Sequence, residues 1–185
     1  MGITVITGNG KGKTTSAIGL AMIAIAQGKR AAMVQFLKGN SYIGELFAAP
    51  RAGLEIYQFG WGCPRGSMIR SGESRCLSCG ECFRENRDPK HGFAEKALNF
   101  ACRLAESGNY QLLILDEISH ALRHKLVDNA RLVELMVKNR GNLDLVLTGR
   151  KMPVEMIDIA DVAYELKEGK HPFQHGVRSR RGIEY

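Results

Sequence analysis

The sequence predicts an α/β protein built on a doubly wound, mostly parallel sheet of about six strands. Three observations predict this fold class. Short apolar runs of strand length alternate along the chain with longer stretches of helical periodicity. Several of these runs have no polar alternation, which is typical of strands that helices cover on both faces. A glycine-rich turn joins the first apolar run directly to the first helical stretch, as in nucleotide-binding α/β proteins.

The elements follow one another in a regular order. The candidate strands are Ile3–Ile6, Ala31–Phe36, Leu54–Gln58, Leu112–Leu115, Leu143–Leu147 and Val162–Glu165. The candidate helices are Thr15–Gln27, Ala94–Ser107, Asn129–Asn139 and Val154–Ile159. Gly28 and Gly108 come directly after two of these helices, where glycine commonly ends a helix. Residues 60–92 are the exception, because they carry no clear periodicity and are interrupted by glycine and proline.

Composition limits the class of protein. With 185 residues, of which 44% are hydrophobic and 24% charged, we expect one domain over residues 1–185, interrupted by an irregular segment at 60–92. No run approaches the roughly 18 apolar residues of a membrane span, and the first strand follows Met1 directly. We therefore expect a cytoplasmic protein with no membrane partner. The formal charge of +7 suits a polyanionic ligand, although it also fits a solvated basic face, with a cluster at Arg178–Arg181.

The glycine-rich turn is a candidate phosphate-binding loop. It consists of Gly8, Asn9, Gly10, Lys11, Gly12, Lys13, Thr14 and Thr15. Free backbone N–H groups in such a turn, together with the positive end of the following helix, bind phosphate. Lys13 is expected to reach the outer phosphates, and Thr14 to offer its hydroxyl to Mg²⁺. The loop is one residue shorter than the usual G-x-x-x-x-G-K-[ST] pattern, so it cannot wrap a triphosphate in the usual way.

A second element of a nucleotide site follows the apolar run Leu112–Leu115. Asp116 and Glu117 end this strand, and hard carboxylate oxygens there suit Mg²⁺ or Mn²⁺, directly or through water. We expect these acids to lie beside the phosphate loop if the two strands are neighbours in the sheet. An acid at the end of a strand is a weak signal by itself. Together with the glycine loop, however, it predicts nucleotide binding.

Two further strand ends carry candidate ligand-binding residues. Gln35 and Lys38 lie where the strand Ala31–Phe36 runs into a glycine turn. Arg150 follows Thr148 and Gly149 after another strand, which places a guanidinium at the edge where ligands bind. A surface lysine and a surface arginine after turns are the alternative interpretations.

Six motifs, in the same order along nearly the whole chain, resemble those of the ATP:corrinoid adenosyltransferases. They are residues 8–15 with the shortened loop, 34–39, 115–117, 147–150, Lys170-His171-Pro172-Phe173 and Gly182-Ile183-Glu184-Tyr185. The resemblance implies a RecA-like P-loop fold, and transfer of the 5′-deoxyadenosyl group from ATP to the cobalt of a reduced corrinoid, with release of triphosphate. It implies catalytic roles for Lys13, Thr14 and Glu117. It also implies a homodimer and a possible electron-donor protein.

The resemblance further places an aromatic pair against the corrin, and Phe59 and Trp61 fall at that position. Apolar rings there would keep a lower axial ligand away from cobalt. Ordinary packing of the loop onto the core is the alternative. This chain has Ser119 and His120 where the family usually has a Thr-Tyr type pair, so corrin contacts from this segment are not carried over. His120 and His124 have the i, i+4 spacing of metal ligands, but solvated or capping histidines explain them better.

The irregular segment contains a candidate metal site formed by four cysteines. Cys76, Cys79 and Cys82 have C-x₂-C-x₂-C spacing, and Cys63 is a remote fourth thiol followed by proline. The triplet is typical of [4Fe–4S] proteins, while zinc sites more often use two separated pairs. The sequence therefore leaves three alternatives for these cysteines, namely a [4Fe–4S] cluster, a zinc ion, or thiols that bind no metal. A cluster here could supply the electron that reduces cobalt, whereas zinc could only order the segment. Cys102 lies on an apolar helix face and is expected in the core.

Two other classes of protein share the phosphate loop. A RecA-like nucleic-acid-dependent ATPase suits the basic charge and the cysteines. However, aromatic residues make up only 7% of the chain, so the platforms for base stacking are sparse and we expect no nucleic-acid partner. A small-molecule kinase would release ADP, whereas an adenosyltransferase releases triphosphate.

Overall fold

A computed structural model describes residues 2–40, 43–74, 76 and 79–170 of the chain. Within these residues a sheet of six strands forms the centre of the fold. The strands are β1 (Ile3–Thr7), β2 (Ala31–Phe36), β3 (Glu55–Phe59), β4 (Leu112–Asp116), β5 (Asp144–Thr148) and β6 (Val162–Glu165). Their spatial order is β3-β2-β4-β5-β1-β6, and every neighbouring pair is parallel. The predicted α/β sheet is confirmed, and each strand end lies within one residue of its predicted position.

The described helices connect the strands. They are α1 (Lys13–Ala26), α2 (Glu45–Arg51), α3 (Gly66–Ser71), α4 (Glu81–Arg87), a 3-10 helix (Pro89–His91), α5 (Phe93–Glu106), α6 (Ile118–Arg123), α7 (Asn129–Lys138) and α8 (Val154–Ile159). Among the described residues, no helix is both long and apolar enough to cross a membrane.

Two apolar cores lie on opposite faces of the sheet. On one face α1 packs through the small residues Ala17, Ala21 and Ala24, which let the helix approach the sheet closely. The other face is covered mainly by α5, α6 and α7. The central strands β2 and β4 are therefore buried at every position, in agreement with their mostly apolar sequences, whose polar members are Gln35 and Asp116.

The helices missed by the sequence prediction are short. α2 and α6 have seven and six residues, and α3, α4 and the 3-10 helix lie within residues 60–92, where the sequence suggested irregular chain. Segments of two turns or fewer are too short for a periodic pattern to emerge. The motifs after Lys170, and the basic cluster 178–181, lie outside the described residues.

Since all strands are parallel, their carboxyl ends meet along one side of the sheet, which we call the carboxyl edge. The residues predicted to bind the nucleotide and the corrinoid lie at the carboxyl ends of β1 to β5 or in the segments that follow them.

Candidate active site at the carboxyl edge

The glycine loop follows β1 and packs tightly against the chain that follows β6. The backbone N–H of Gly10 donates to the carbonyl of Leu166 at 2.7 Å. A Cβ on Gly8 would lie 2.4 Å from the same carbonyl oxygen, and Gly8 has a φ of +97°. Glycine is required here both by backbone conformation and by space. Asn9, Lys11 and Thr15 lie at exposed positions on the outer side of the loop and the first helical turn.

The start of α1 is suited to bind an anion. The N-cap is Gly12, and no side chain caps this end or places an acid in the first turn. The N–H groups of the first turn, with the positive end of the helix dipole, therefore face the loop. Lys13 is buried, and its Nζ donates to the Gly10 carbonyl at 2.6 Å. Burial and the nearby Arg150 guanidinium lower the pKa of Lys13, so two cationic side chains lie close to the loop.

Asp116 is the centre of the site. It is fully buried, and its Oδ1 accepts hydrogen bonds from the hydroxyls of Thr14, at 2.8 Å, and Thr148, at 2.7 Å. Its Oδ2 accepts from the Lys38 ammonium at 2.7 Å and from the Gln35 amide at 3.1 Å. Each carboxylate oxygen thus has two protein donors, which matches its capacity to accept.

Charge pairing keeps Asp116 ionised. Burial would raise the pKa of Asp116, but the Lys38 ammonium and the two hydroxyl donors lower it below its usual value. Burial would likewise lower the pKa of Lys38, yet Asp116 raises it. The two groups form a buried ion pair that is satisfied by hydrogen bonds on the carboxylate side.

The strands that carry the loop and the acids are not neighbours. β5 lies between β1 and β4 in the sheet, so Asp116 reaches Thr14 across the end of β5. Thr148, the last residue of β5, holds the end of β4 in place, because its Oγ1 donates to Asp116 and accepts from the Glu117 N–H at 3.1 Å. The loop and Asp116 therefore meet directly although their strands are not neighbours, and Thr148, which the sequence prediction did not include among the site residues, adds a second hydrogen bond to the same carboxylate oxygen.

Glu117 differs from Asp116 in its environment. It adopts a φ of +62°, in the left-handed region, which turns the chain sharply between β4 and α6. Burial, followed by the charge of Asp116, raises the pKa of Glu117 above its usual value. A carboxyl whose pKa is raised in this way gains from a nearby cation, so Glu117 suits a metal ion better than the saturated Asp116 does.

Arg150 is held by α6. The buried Ser119 donates its hydroxyl to the Arg150 carbonyl at 2.9 Å. The neighbouring Gly149 has a φ of +141°, and a Cβ there would lie only 1.9 Å from Ser119 Oγ. Sequence analysis did not assign this role to Ser119, because the contact joins residues 31 positions apart.

The side chains of Gln35 and Lys38 both donate hydrogen bonds to the Asp116 carboxylate. Gln35 is fully buried, and both ends of its amide are bonded, the oxygen to the Gln58 amide at 2.9 Å. Lys38 is partly buried and also lies 3.8 Å from the Glu45 carboxylate. In this structure both residues support Asp116. Glu45 belongs to α2, a helix that the sequence did not predict.

The aromatic pair lies at the end of β3, where Phe59 is the last residue of the strand and Trp61 follows two positions later. The Phe59 ring packs against Phe100 of α5, with 5.3 Å between ring centroids, at the edge of the core. Trp61 is half-buried, and the chain around it touches the turn after β2, since a Cβ on Gly39 would lie 2.5 Å from the Gly60 carbonyl oxygen. The two aromatic residues are thus adjacent to the turn that carries Lys38.

The cysteines of the irregular segment are free thiols. Cys76 and Cys79 are exposed, and Cys63 and Cys82 are half-buried. Burial raises the pKa of the Cys82 thiol, and the thiols of Cys76 and Cys79 raise it further, with a smaller effect from Cys63. The other three thiols are therefore near enough to Cys82 to affect its ionisation. Cys102 is half-buried and packs against the core as expected.

One set of three potential metal ligands lies within 4.8 Å among the described residues, and it does not include the cysteines. It consists of Glu85, Asp88 and His91. These groups are already paired, since the His91 imidazole lies 3.0 Å from Glu85, and the Lys90 ammonium lies 2.7 Å from Asp88. We interpret the set as an ion-pair cluster.

The His120 and His124 rings lie against each other, 4.5 Å apart between centroids. Burial, followed by the nearby His124 and Arg87, lowers the pKa of His120 to about 4. His120 is therefore neutral at physiological pH. Among the described residues, no third ligand joins the pair.

The chain is similar to one family of proteins over nearly its whole length. The family model described as ATP:corrinoid adenosyltransferase BtuR/CobO/CobP matches residues 2–185. A corrinoid adenosyltransferase of Sinorhizobium sp is 32% identical over 99% of this chain and 79% of its own length. The corrinoid adenosyltransferase of Escherichia coli K12 is 29% identical, and the corrinoid adenosyltransferase CobA of Salmonella typhimurium is 28% identical, each over 99% of this chain and 85% of the relative.

Proposed function

Because this chain belongs to the ATP:corrinoid adenosyltransferase family, we propose how the residues at its carboxyl edge carry out the family reaction. The enzyme transfers the adenosyl group of ATP to a corrinoid. The observation that carries our assignment of residues is the hydrogen bond from Thr14 to the buried Asp116. It joins the phosphate loop to the acids of β4 in one connected site.

The reaction needs no nucleophile from the protein. The cobalt of the reduced corrinoid attacks the ribose C5′, a cobalt–carbon bond forms, and the bond from C5′ to the triphosphate oxygen breaks with its electron pair leaving on the triphosphate. The protein must align cobalt with C5′ and stabilise the charge on the leaving group. We assign the second task to the loop Gly8–Thr15, to Lys13 and to Arg150.

Thr14 and Glu117 fit a Mg²⁺ or Mn²⁺ ion. The Thr14 hydroxyl gives its hydrogen to Asp116, which leaves the oxygen lone pairs available to a cation. Glu117 is a half-buried carboxyl close to Lys13, and among the described residues no hydrogen bond to its carboxylate oxygens is found. When bound, the cation would neutralise part of the triphosphate charge.

We propose a role for Asp116 that differs from the one that the sequence predicted. The sequence predicted Asp116 as a metal ligand together with Glu117. In the structure its two oxygens accept four protein hydrogen bonds and have no vacant lone pair. We propose that Asp116 orients Thr14 and Lys38 and acts on the metal only through Thr14.

On the corrinoid side we keep Phe59 and Trp61 as the residues that face the corrin. Trp61 is half-buried next to the turn of Lys38, and we propose that the exposed part of this residue contacts the corrin. The Phe59 ring packs against Phe100, which would hold it beside Trp61 on the same side of the site.

The cysteine set fits a metal through the chemistry of its donors. The thiols of Cys76, Cys79 and Cys63 each raise the pKa of Cys82, and a set of four thiols can supply the donors for a [4Fe–4S] cluster or a zinc ion. Burial disfavours the Cys82 thiolate, and a bound cation would offset this cost because it stabilises the ionised thiol. A homodimer and an electron-donor protein remain predictions from the family resemblance. Light scattering tests the first, and reduction assays with purified redox proteins test the second.

The experiment compares Thr14→Val with Ser16→Ala, an exposed hydroxyl further along α1. Each protein is incubated anaerobically with MgATP and chemically reduced corrinoid, and the light-sensitive alkyl-cobalt spectrum is followed. We expect the wild-type chain and Ser16→Ala to form the product with triphosphate, and Thr14→Val to lose at least tenfold in kcat, since a bond to the metal made in the transition state is removed. Release of ADP without an alkyl-cobalt product would overturn the proposed function.

A Glu117→Gln variant tests the metal assignment. We expect it to raise the Mg²⁺ concentration needed for half-maximal rate, with ATP saturating. An unchanged Mg²⁺ requirement would remove Glu117 from the metal site and leave the adenosyl transfer itself untouched.

A further inference from the structure

The end of the cysteine-rich segment contacts the loop that carries Trp61. The backbone N–H of Trp61 donates to the side-chain oxygen of Asn86, at the end of α4, over 2.6 Å. The two residues are 25 positions apart, so the bond joins the segment to the end of β3. The backbone of the loop is therefore held by a side chain that lies outside it.

The Trp61 ring is held by a second contact. His91, in the 3-10 helix, lies against the indole with 5.2 Å between ring centroids and a tilt of 43°. The imidazole in turn stacks on Phe93 at 5.0 Å, and its Nε2 lies 3.0 Å from the Glu85 carboxylate. A histidine fixed on two sides in this way presents a rigid face to the indole.

Within the described part of the chain, no hydrogen bond from the indole fixes the orientation of the Trp61 ring. Its Nε1 is buried, and none of the described residues accepts a hydrogen bond from it. The orientation of the ring therefore depends on the backbone bond to Asn86 and on the contact with His91.

The same loop is coupled to the nucleotide side of the site. A Cβ on Gly60 would lie 2.5 Å from the Lys38 backbone nitrogen, so the two turns are in backbone contact. Lys38 forms the ion pair with Asp116, which also binds Thr14. A shift of the Trp61 loop would therefore change the distance between the proposed corrin face and the phosphate loop.

We propose that Asn86 and His91 are positioning residues that set the orientation of Trp61 against the corrin, so that the cysteine-rich segment shapes the corrinoid side of the active site. The inference rests on the proposed function, in which Trp61 faces the corrin. A flat ring excludes an axial ligand only when it lies parallel and close to the corrin plane, and small misplacements of a substrate-contacting group reduce the rate strongly. The role concerns corrinoid binding and leaves ATP binding unaffected.

Trp61 is the single tryptophan of the chain, so its fluorescence reports on the loop directly. The test uses Asn86→Ala and His91→Ala in the full-length protein. We expect both to shift the emission of Trp61 to longer wavelength, to lower its anisotropy, and to raise the KM for corrinoid about tenfold, the effect of losing one hydrogen bond or ring contact. The KM for ATP should stay within twofold of the wild-type value.

Conservative variants separate positioning from general damage. Asn86→Asp keeps an oxygen acceptor, and His91→Phe keeps a ring against the indole, so both should restore most of the corrinoid KM and the emission. Asn129→Ala, which removes an exposed bond from an asparagine to Glu155, is the matched control and should change neither.

The Trp61→Ala variant distinguishes a failure of the proposed corrin contact from a failure of the positioning role. If Trp61→Ala leaves the KM for corrinoid unchanged, the corrin contact in the proposed function is wrong. If Trp61→Ala raises that KM but Asn86→Ala and His91→Ala do not, or if they raise the KM for ATP equally, the positioning role is wrong.

Discussion

The Asp116→Asn substitution should destabilise the protein severely while changing no side-chain volume. The carboxylate is fully buried and accepts four hydrogen bonds, one of them from the Lys38 ammonium at 2.7 Å. An asparagine would turn an NH₂ group toward donors and leave the ammonium without a counter-charge. Removal of one partner from a buried ion pair costs about 3–5 kcal/mol. Because 24% of the Lys38 side chain is exposed, solvent reduces this, and we expect a loss of about 2–4 kcal/mol.

The assay is urea unfolding at pH 7, followed by far-UV circular dichroism, with a double-mutant cycle. Lys38→Met removes the ammonium and keeps the length of the side chain. If the orphaned charge is the main cost, the double variant Asp116→Asn/Lys38→Met will be more stable than Asp116→Asn alone, with a coupling energy of about 1–3 kcal/mol.

Two results would refute this reasoning. One is a free energy of unfolding for Asp116→Asn within about 0.5 kcal/mol of the wild-type value, the scatter of an ordinary surface substitution. The other is strict additivity of the two substitutions, since independent sites have no coupling. The adenosyl transfer rate of Asp116→Asn should also fall, because Thr14 loses the acceptor that orients its hydroxyl.

Three further measurements test other parts of the structure. Gly8→Ala should raise the KM for ATP and cost more stability than Gly28→Ala, because both have positive φ but only Gly8 would place its Cβ 2.4 Å from a carbonyl oxygen; equal losses would argue against close packing of the loop. His120→Gln should flatten the acid side of the stability profile: the native pKa of about 4 lies below the ordinary 6.5, so the histidine's contribution is present above pH 6.5 and is lost as pH falls toward 4. A parallel slope in the variant would exclude His120 as its cause. Cys82→Ser should lower the bound iron or zinc, measured by mass spectrometry on anaerobically purified protein, whereas Cys102→Ser should not; iron with broad visible absorbance would favour a cluster, and stoichiometric zinc would exclude electron transfer through this segment.

The strands and the phosphate loop were predictable because their signals are local. An uninterrupted apolar run such as Leu112–Leu115 indicates burial on both faces of the sheet, and a glycine at a position such as Gly8 indicates a backbone conformation with positive φ. The structure confirms six parallel strands with ends within one residue of the prediction. The short helices of residues 60–92 and α2 were missed, since one or two turns leave no periodic pattern and their stability comes from packing.

The contacts within the site required the three-dimensional structure. Thr148 and Ser119 are small residues whose contact partners lie 32 and 31 positions away, so sequence spacing does not predict that they join the end of β4 and the start of α6 to the end of β5 and the residues after it. Glu45, which lies 3.8 Å from Lys38, belongs to α2, a helix that the sequence did not predict.

By itself, the sequence determined the fold class, the phosphate loop and the family of this protein, because each depends on residue types at short, regular spacing. Only the tertiary structure decided how the two carboxylates differ. Asp116 and Glu117 are adjacent in sequence and alike in chemistry, but Asp116 meets four donors, one of which is a cation, while Glu117 is half-buried beside a negative charge. Burial and the partners that long-range packing brings together set these opposite pKa shifts, and residue spacing carries no information about either.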